Sequence, residues 1–341
     1  MKLCAITDEY QFKGNRVVFM ENRYLRVKIL VDKGSDILEV LDKVNDLNLL
    51  YILPNNWKLP GSTYVPSITT PESSWNDYYP GGWQDVLPFG GEPTENSGAA
   101  YGLHGETSLS PWNYYISKNT LEEVELTLRL ELVRYPFEIT KKINLKYNES
   151  KITINETIVN LSAIDLEYIW LQHMVFGGPL LNENTKINIP AEKILTNDVS
   201  FPYARLPENK EFNWPNACSV GGENIDLSKI PPETEKSHDI CYLTSLQEGM
   251  FEIINPELNT GVRFSFDKDL FQHIWYWMAF GGFEISPFFG RNWNLGIMPS
   301  TSISASGLDV ARNTNTVPIL KGNKSVSTQF VFEVLSDVSF K

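Results

Sequence analysis

The chain has 341 residues and a formal net charge of −13, with 42% hydrophobic and 21% charged residues. This acidic balance disfavours nucleic acid as a partner, because such a chain repels a phosphate backbone. No apolar run approaches the roughly 18 residues that a membrane-spanning helix needs, so no membrane partner is expected. What remains is a globular protein of ordinary composition, long enough to bury a sizeable core.

Cysteine usage and the first residues of the chain indicate a compartment. The three cysteines, Cys4, Cys218 and Cys241, are widely spaced and fit neither a disulfide framework nor a zinc site. Residues 1–16 lack the apolar segment of a secretory signal. We therefore expect a protein of the reducing cytoplasm.

Most of the chain alternates apolar and polar residues with a period of two, which is typical of half-buried antiparallel strands. This alternation predicts strands within residues 16–51, 112–160, 241–267 and 325–335. Because no segment keeps an uninterrupted helical spacing of apolar residues, we predict an all-β fold. The expected architecture is one domain over residues 1–341, a large antiparallel β-sandwich whose sheets hide each other's apolar face.

Several stretches depart from this alternation. Residues 166–176 and 271–277 are more apolar and predict buried strands. Residues 182–235 are polar and predict loops with short strands. Residues 55–80 are rich in proline, serine, threonine and aromatic residues without a clear period, and they predict a long ordered loop. A loop of this length inside a compact domain usually serves a function.

The stretch 79–112 carries a dense set of residue types that bind ligands. It contains GGWQD (residues 81–85) and LHGETSLSPW (residues 103–112), each with glycine beside an aromatic ring and a carboxylate. Glycine lets a backbone approach a ligand closely, and aromatic faces pack on the apolar faces of flat ligands. In an extended segment His104 and Glu106 would face the same side.

Only four histidines occur, and two of them have settings that suit proton transfer. His104 and His173 each lie beside a glycine-rich turn and a tryptophan, and histidine titrates near neutral pH. The competing interpretation is a core histidine bonded to a backbone carbonyl. His273 flanks an aromatic strand and is expected in the core, whereas His238 follows a polar stretch and is expected at the surface. The spacings fit no metal site, and no phosphate-binding loop indicates a nucleotide cofactor.

Aromatic residues are concentrated in the glycine-rich segments, together with Gln, Asp, Glu, Arg and His. A cleft built from these residue types would suit a small carbohydrate. The C–H faces of a sugar stack on aromatic rings, and its hydroxyl groups need many hydrogen bonds. The competing interpretation is that the rings only pack interlocking loops together.

Four segments resemble those of a known family: YPGGWQD, YGLHGETSLSPW, WLQHMVFGGP and GRNWNLGIMPSTS, in this order. Over residues 16–335 the chain resembles aldose 1-epimerases of the galactose mutarotase superfamily. The resemblance implies a β-supersandwich, a single galactose mutarotase-like domain with a sugar cleft across one face. It also implies an isomerase of carbohydrate metabolism that interconverts the anomers of a free sugar without a cofactor or a metal.

The resemblance further implies roles for individual residues. His173 would be the general acid on the ring oxygen, and His104 would bind and orient the sugar near that oxygen. The base of the family is a glutamate in a segment L-G-x-E-P, where this chain reads LGIMP and has Met298. A thioether accepts no proton at neutral pH, so another carboxylate would have to act as the base.

The expected site residues form two groups. The candidates for the substitute base are Glu106, Glu284 and Asp85. The side chains expected to contact the sugar directly are Trp83, Gln84, Asp85, Arg291, Trp277 and Met298.

Three functions stay open at this point. The chain would be an isomerase of the aldose 1-epimerase type, or a non-catalytic sugar-binding relative that has lost the catalytic glutamate. The third is a lyase or hydrolase acting on an acidic sugar whose carboxylate Arg291 holds. Modest exposure of aromatic side chains on the sheets would suit a homodimer.

Overall fold

A computed structural model describes residues 3–54, 58 and 73–336, without the side chains of residues 73 and 74. Most of the loop predicted at 55–80 lies outside the described residues. Its last part contains a short helix, α1 (Ser73–Asp77). In the described part of the chain, no helix is long and apolar enough to cross a membrane.

The remaining elements are almost all strands. The first half of the chain contains β1 (Ala5–Phe12), β2 (Asn15–Glu21), β3 (Leu25–Leu30), β4 (Asp36–Asp42), β5 (Leu47–Asn48), β6 (Trp83–Val86), β7 (Thr94–Asn96), β8 (Ala99–Tyr101), a 3-10 helix (Thr107–Leu109), β9 (Asn113–Asn119), β10 (Glu123–Glu131), β11 (Phe137–Lys146), β12 (Lys151–Asn160) and β13 (Leu166–Glu167). The second half contains β14 (Leu171–Gly177), β15 (Lys186–Asn188), β16 (Lys193–Thr196), β17 (Glu211–Asn213), β18 (Asn216–Cys218), β19 (Asn224–Asp226), β20 (Ser237–Thr244), β21 (Met250–Asn255), β22 (Thr260–Ser265), β23 (His273–Phe280), β24 (Trp293–Ser300), α2 (Leu308–Asn313), β25 (Ile319–Leu320) and β26 (Ser325–Ser336).

Two large antiparallel sheets form the molecule. The larger sheet has the strand order β1-β2-β3-β4-β6-β14-β24-β23-β20-β16-β17-β18-β19, and β5 pairs with β4. The second sheet has the order β15-β21-β22-β26-β12-β11-β10-β9. Trp83 of the larger sheet packs on Phe264 and Phe332 of the second, with ring centroids 5.3 and 6.0 Å apart. The predicted all-β antiparallel sandwich is therefore confirmed.

Burial along the strands follows from their place in the sandwich. In β12 buried residues alternate with more accessible ones, because one face packs on the other sheet. In contrast, every residue of β14 and β23 is buried. The larger sheet is therefore covered on both faces near its centre, which agrees with the apolar character of these segments in the sequence.

One predicted strand is divided in the structure. Residues 166–176 were expected to form a single strand, but β13 pairs with β25 in a separate small sheet and β14 begins at Leu171. Between them the backbone leaves both ladders. The N–H of Ile169 donates to the carbonyl oxygen of Pro88 at 2.7 Å, so its hydrogen bond is made to a loop.

A buried polar network joins the two sheets. Lys141 Nζ lies 2.6 Å from Asp85 Oδ2 and 3.7 Å from Glu156 Oε1. Gln172 donates from Nε2 to Asp85 Oδ1 at 2.6 Å, and Trp83 donates from Nε1 to Gln172 Oε1 at 2.6 Å. Although burial alone would lower it, the pKa of Lys141 is raised by the carboxylates of Asp85 and Glu156. The ammonium group therefore stays charged and neutralises this interior.

His273 illustrates a histidine that packs in the interior of the protein. It begins β23, is buried, and neither ring nitrogen has a hydrogen-bond partner among the described residues. Burial lowers its pKa from 6.5 to about 4. The imidazole is therefore neutral at pH 7, as the prediction of a packing role requires.

We expect Lys141→Met to destabilise the protein strongly, because it keeps the side-chain length but leaves the buried carboxyl groups of Asp85 and Glu156 without a cation. The free energy of unfolding, measured by urea denaturation, should fall by about 3–5 kcal/mol. The matched control is Lys142→Met, which alters the exposed neighbour on the same strand and should change stability by less than about 0.5 kcal/mol. Equal effects of the two substitutions would contradict a stabilising role for the network.

Acid should destabilise the wild-type protein more than His273→Phe. Below pH 6.5 the unfolded chain binds a proton at His273 that the folded chain does not bind until about pH 4. The free energy of unfolding of the wild type should therefore fall more steeply between these pH values, by about 1.4 kcal/mol per pH unit. Denaturation curves of both proteins at several pH values measure the difference. Parallel pH profiles would show that His273 titrates normally.

Candidate functional site

A cavity of about 490 Å³ opens on the outer face of the larger sheet. This volume lies in the range of pockets that hold small molecules. Five of the residues predicted from the sequence line it: His104, His173, Trp277, Glu284 and Met298. The floor is formed by β14, β24, β23 and β20, and the walls by α1 and by loops.

Strand register places several of these side chains in one row. Gln84 of β6 pairs with His173 of β14, and Met298 of β24 pairs with Trp275 of β23. The register between β14 and β24 sets His173 opposite Met298. Because directly paired residues project from the same face of a sheet, the four side chains form a continuous row on the outer face.

His104 and His173 meet at one end of the cavity, with ring centroids 5.1 Å apart. Trp75 of α1 packs against both rings, at 4.6 and 5.4 Å. The N–H of Gly91 donates to Nδ1 of His104 at 3.1 Å, so the neutral His104 ring carries its proton on Nε2. These two histidines share a setting beside a glycine-rich turn and a tryptophan in the sequence, and the structure brings them together.

The turn that carries His104 depends on glycine. His104 has φ = 61° and Gly105 has φ = 68°, both in the left-handed region. A Cβ atom at Gly105 would lie 2.4 Å from the carbonyl oxygen of Leu87, so no larger residue fits. Glycine accepts this backbone geometry without steric cost. The LHGE segment thus folds so that His104 turns towards the cavity.

Burial controls the protonation of both rings. It lowers the pKa of His104 well below 6.5, and the neighbouring His173 lowers it further. Burial also lowers the pKa of His173, to about 3, with a smaller contribution from Lys33. Both imidazoles are therefore neutral at pH 7. In this state each ring offers one N–H donor and one nitrogen acceptor to a ligand.

Two of the three carboxylates proposed as a substitute base lie away from the cavity. The carboxylate of Glu106 accepts hydrogen bonds from the N–H groups of Val133 and Arg134, at 3.0 and 3.1 Å. It therefore fastens a loop to the β10–β11 connection. Asp85 lies between the sheets in the ion pair with Lys141. Neither group can reach a ligand beside His173, which corrects the expectation from the sequence.

The third candidate, Glu284, lines the mouth of the cavity but is already occupied. It forms an ion pair with Lys236 and accepts a hydrogen bond from the hydroxyl of Tyr203 at 3.2 Å. The bond from Lys236 lowers the pKa of the Glu284 carboxyl. A carboxylate held in this way is a weak base.

Glu92 is a lining carboxylate that sequence reasoning missed. It directly follows Gly91, whose N–H is bonded to the ring of His104, and its own N–H donates to the carbonyl oxygen of Ala305 at 2.7 Å. These bonds fix its backbone next to the histidine pair. The segment FGGEP, with glycines beside a carboxylate, was the available signal in the sequence.

Four residues expected to contact the ligand do not line the cavity: Trp83, Gln84, Asp85 and Arg291. Trp83 and Asp85 project towards the second sheet because they alternate with Gln84 along β6. Gln84 is fully buried beside His173 and donates to Asp36 Oδ2 at 2.7 Å. We assign Trp83 and Asp85 a supporting role beneath the floor, and Gln84 a supporting role beside His173 on the outer face, in place of direct contact with the ligand.

Arg291 is exposed, and its guanidinium carbon lies 6.0 Å from the ring centroid of Phe289. It does not line the cavity, so it is not placed to hold a substrate carboxylate there. Among the described residues, no group of three histidine, cysteine or acidic side chains is arranged to bind a metal ion.

His238 was expected at the surface, and this expectation is wrong. It is only 2% exposed and lines the cavity, because β20 begins at Ser237 and directs His238 and Ile240 to the outer face. Trp277 donates from Nε1 to His238 Nε2 at 3.0 Å. Burial lowers the pKa of His238 to about 4. The signal in the sequence is the segment SHDICYL, because a strand that begins at Ser237 and not at Cys241 places His238 on the same face as Ile240.

Solved structures with a similar fold come from several bacteria. A candidate aldose 1-epimerase from Klebsiella pneumoniae matches with a TM-score of 0.73 and 15% identity, over 98% of this chain and 84% of that one. A galactose mutarotase-like protein from Clostridium acetobutylicum matches with a TM-score of 0.68 and 14% identity, over 98% and 99%. At these identities the likeness establishes the fold alone. It confirms the galactose mutarotase-like fold that the resemblance implied.

Comparison by sequence adds a family. A search of curated proteins found none that matches this chain. A family model described as a domain of unknown function (DUF4432) matches residues 12–334, which is nearly the whole chain. The protein belongs to this DUF4432 family, with a galactose mutarotase-like fold.

Proposed function

We propose that the protein is an isomerase that interconverts the anomers of a free sugar by general acid–base ring opening. The observation that carries this proposal is the pair of neutral histidines, 5.1 Å apart, at one end of a small-molecule cavity on the sheet face. Aromatic rings surround the pair, as the stacking of a sugar requires. The likeness in fold to a galactose mutarotase-like protein agrees with this assignment.

The reaction needs one proton removed and one supplied. A base takes the proton of the C1 hydroxyl, the ring C–O bond breaks as the C1=O bond forms, and the ring oxygen receives a proton. Rotation about C1–C2 and closure of the ring then give the other anomer. His173 rests neutral, so as the acid it would first take up a proton from water, give that proton to the ring oxygen and return to the neutral imidazole, while His104 would orient the sugar through its Nε2–H.

Glu92 is the carboxylate that we assign as the base. It lines the cavity, and its backbone is fixed beside His104 through Gly91. Glu284 also lines the cavity, but its ion pair with Lys236 lowers the pKa of its carboxyl and weakens it as a base. General acid–base groups each contribute about 10²–10⁴ in rate, so the two carboxylates can be told apart by substitution.

A second candidate is a sugar-binding protein without catalysis, and Met298 favours it. The side chain lines the cavity in the row between His173 and Trp275. A Cβ atom at Gly296 would lie 3.0 Å from the Met298 methyl carbon, so the thioether covers the floor where this glycine leaves space. An apolar group at this point supplies packing for a ligand but no proton transfer.

The cellular location and the assembly remain proposals. The thiols of Cys4 and Cys241 are buried, that of Cys218 is exposed, and none of them forms a disulfide. Free thiols agree with the cytoplasm proposed from the sequence. A homodimer is the assembly proposed from the exposed aromatic residues.

The wild type should accelerate the equilibration of a freshly dissolved anomer, followed by polarimetry over a broad panel of aldoses. His173→Asn and Glu92→Gln should each lower the rate by about 100-fold or more, because each removes a proton-transfer group. Glu284→Gln should change the rate by less than about tenfold. The control is His273→Phe, a buried histidine outside the cavity, which should retain the wild-type rate.

If no aldose in the panel equilibrates faster, the isomerase proposal fails. Sugars that raise the melting temperature without turnover would then support the binding protein. In that case Met298→Glu, which places a carboxylate in the row beside His173, tests whether the missing base alone prevents catalysis.

A further inference from the structure

The cavity has a second end, which is built from stacked rings. His238 lies between Phe201 and Phe283, with ring centroids 4.5 and 4.2 Å away and interplanar angles of 30° and 24°. Phe283 stacks in turn on Phe288 at 4.6 Å and 24°. All four residues line the cavity and form a continuous wall, which we call the ring stack.

Trp277 lies between the ring stack and the pair formed by His104 and His173. Its ring centroid lies 6.3 Å from that of His173 and 6.4 Å from that of His238. It also packs edge to face with Phe283 and Phe288, with ring centroids 6.3 and 5.8 Å apart. A ligand with its reacting carbon at His173 would therefore extend over Trp277 towards the ring stack.

Few polar atoms serve this second end. The indole N–H of Trp277 is used by His238, whose Nδ1 is buried without a partner among the described residues. Because Nε2 of His238 accepts the bond from Trp277, the neutral ring carries its proton on Nδ1 and has one donor left. Ile240 and Ile285 complete the apolar lining. A ligand hydroxyl placed against the rings, away from His238 and from Glu284 at the mouth, would lose its hydrogen bonds to water.

Charge excludes anionic substituents from the same region. None of the described residues that line the cavity is a lysine or an arginine, whereas Glu92 and Glu284 do line it. Lys236, beside the mouth, is paired with Glu284. Burial also keeps His238 neutral. A phosphate or carboxylate would therefore enter without a partner and against the net charge of −13.

We infer that the substrate is an uncharged sugar that carries a methyl or similar apolar group at the end remote from the anomeric carbon, as in the 6-deoxyhexoses. This inference rests on the proposed function, because the direction of the sugar is set by the reaction at His173. The apolar group lies against the ring stack, and one ring hydroxyl accepts the hydrogen bond of His238.

The experiment compares matched sugars that differ only at C6, in the galacto, gluco and manno series and in both enantiomers. Each series contains the hexose, its 6-deoxy form, its 6-phosphate and its uronic acid. Dissociation constants come from calorimetry and anomer equilibration rates from NMR. Within the series that binds, the 6-deoxy sugar should bind about tenfold more tightly than the hexose, which should bind more tightly than both anions.

Phe283→Ala tests the part played by the ring stack. This substitution should reduce the tenfold preference for the 6-deoxy sugar to about twofold, while His173→Asn should lower the equilibration rate and leave the preference intact. The matched control is Phe289→Ala in the same loop, since Phe289 is exposed and does not line the cavity. Melting temperatures of the variants confirm that each is folded.

Three outcomes overturn the inference in different ways. If a uronic acid or a 6-phosphate binds best, the substrate class is wrong while the sugar isomerase stands. If no sugar binds in any series, the proposed function fails and the substrate class fails with it. If a hexose binds as tightly as its 6-deoxy form, in the wild type and in Phe283→Ala alike, the ring stack does not select the apolar group of the sugar.

Discussion

β14 pairs antiparallel with β6 and β24, and this pairing determines which side chains face the interior between the sheets and which face the cavity. Side chains alternate along β14, so Gln172 joins the buried network with Asp85 and Glu156, and His173 faces the cavity. A shift of register by one residue would exchange these two faces. The ion pair between Lys141 and Asp85 holds the second sheet against β6. It thereby stabilises the neighbouring strand β14, which carries His173.

Burial of this floor also sets the chemistry of the site. Because His104 and His173 are buried under Trp75, their pKa values are lowered and both rings are neutral at pH 7. Neutral imidazoles suit a substrate that presents hydroxyl groups and a ring oxygen. They would not attract an anion, and no described lining residue is a lysine or arginine. The same burial that stabilises the floor of the cavity therefore favours an uncharged ligand over an anionic one.

Alternation of apolar residues made the strands and the sandwich predictable, and glycine-rich segments pointed to His104 and His173. Which face of each strand points to the interior was not predictable in the same way. Trp83 and Asp85 share a strand with Gln84, but only the partner sheet decides which face is interior. The pairing of Asp85 with Lys141, 56 positions along the chain, has no local signal.

The cavity wall was less predictable because its members come from separate segments. His238 follows a polar stretch that resembles a surface loop, yet the strand starting at Ser237 carries it inward. Its partners Phe201 and Phe283 lie far away in the sequence, and only the folded chain stacks their rings. Glu92 lies between the segments GGWQD and LHGETSLSPW in the sequence. Its nearness to His104 depends on the hydrogen bond that the N–H of Gly91 donates to the histidine ring.

The central claim is that one sugar engages the histidines of the cavity together. The chain has four histidines, so the side-chain nitrogen signals of each can be followed by NMR as a sugar is added. We expect the signals of His104, His173 and His238 to shift together with one dissociation constant, while that of His273 does not move. Shifts at none of the three cavity histidines, at saturation with a sugar that binds, would contradict it.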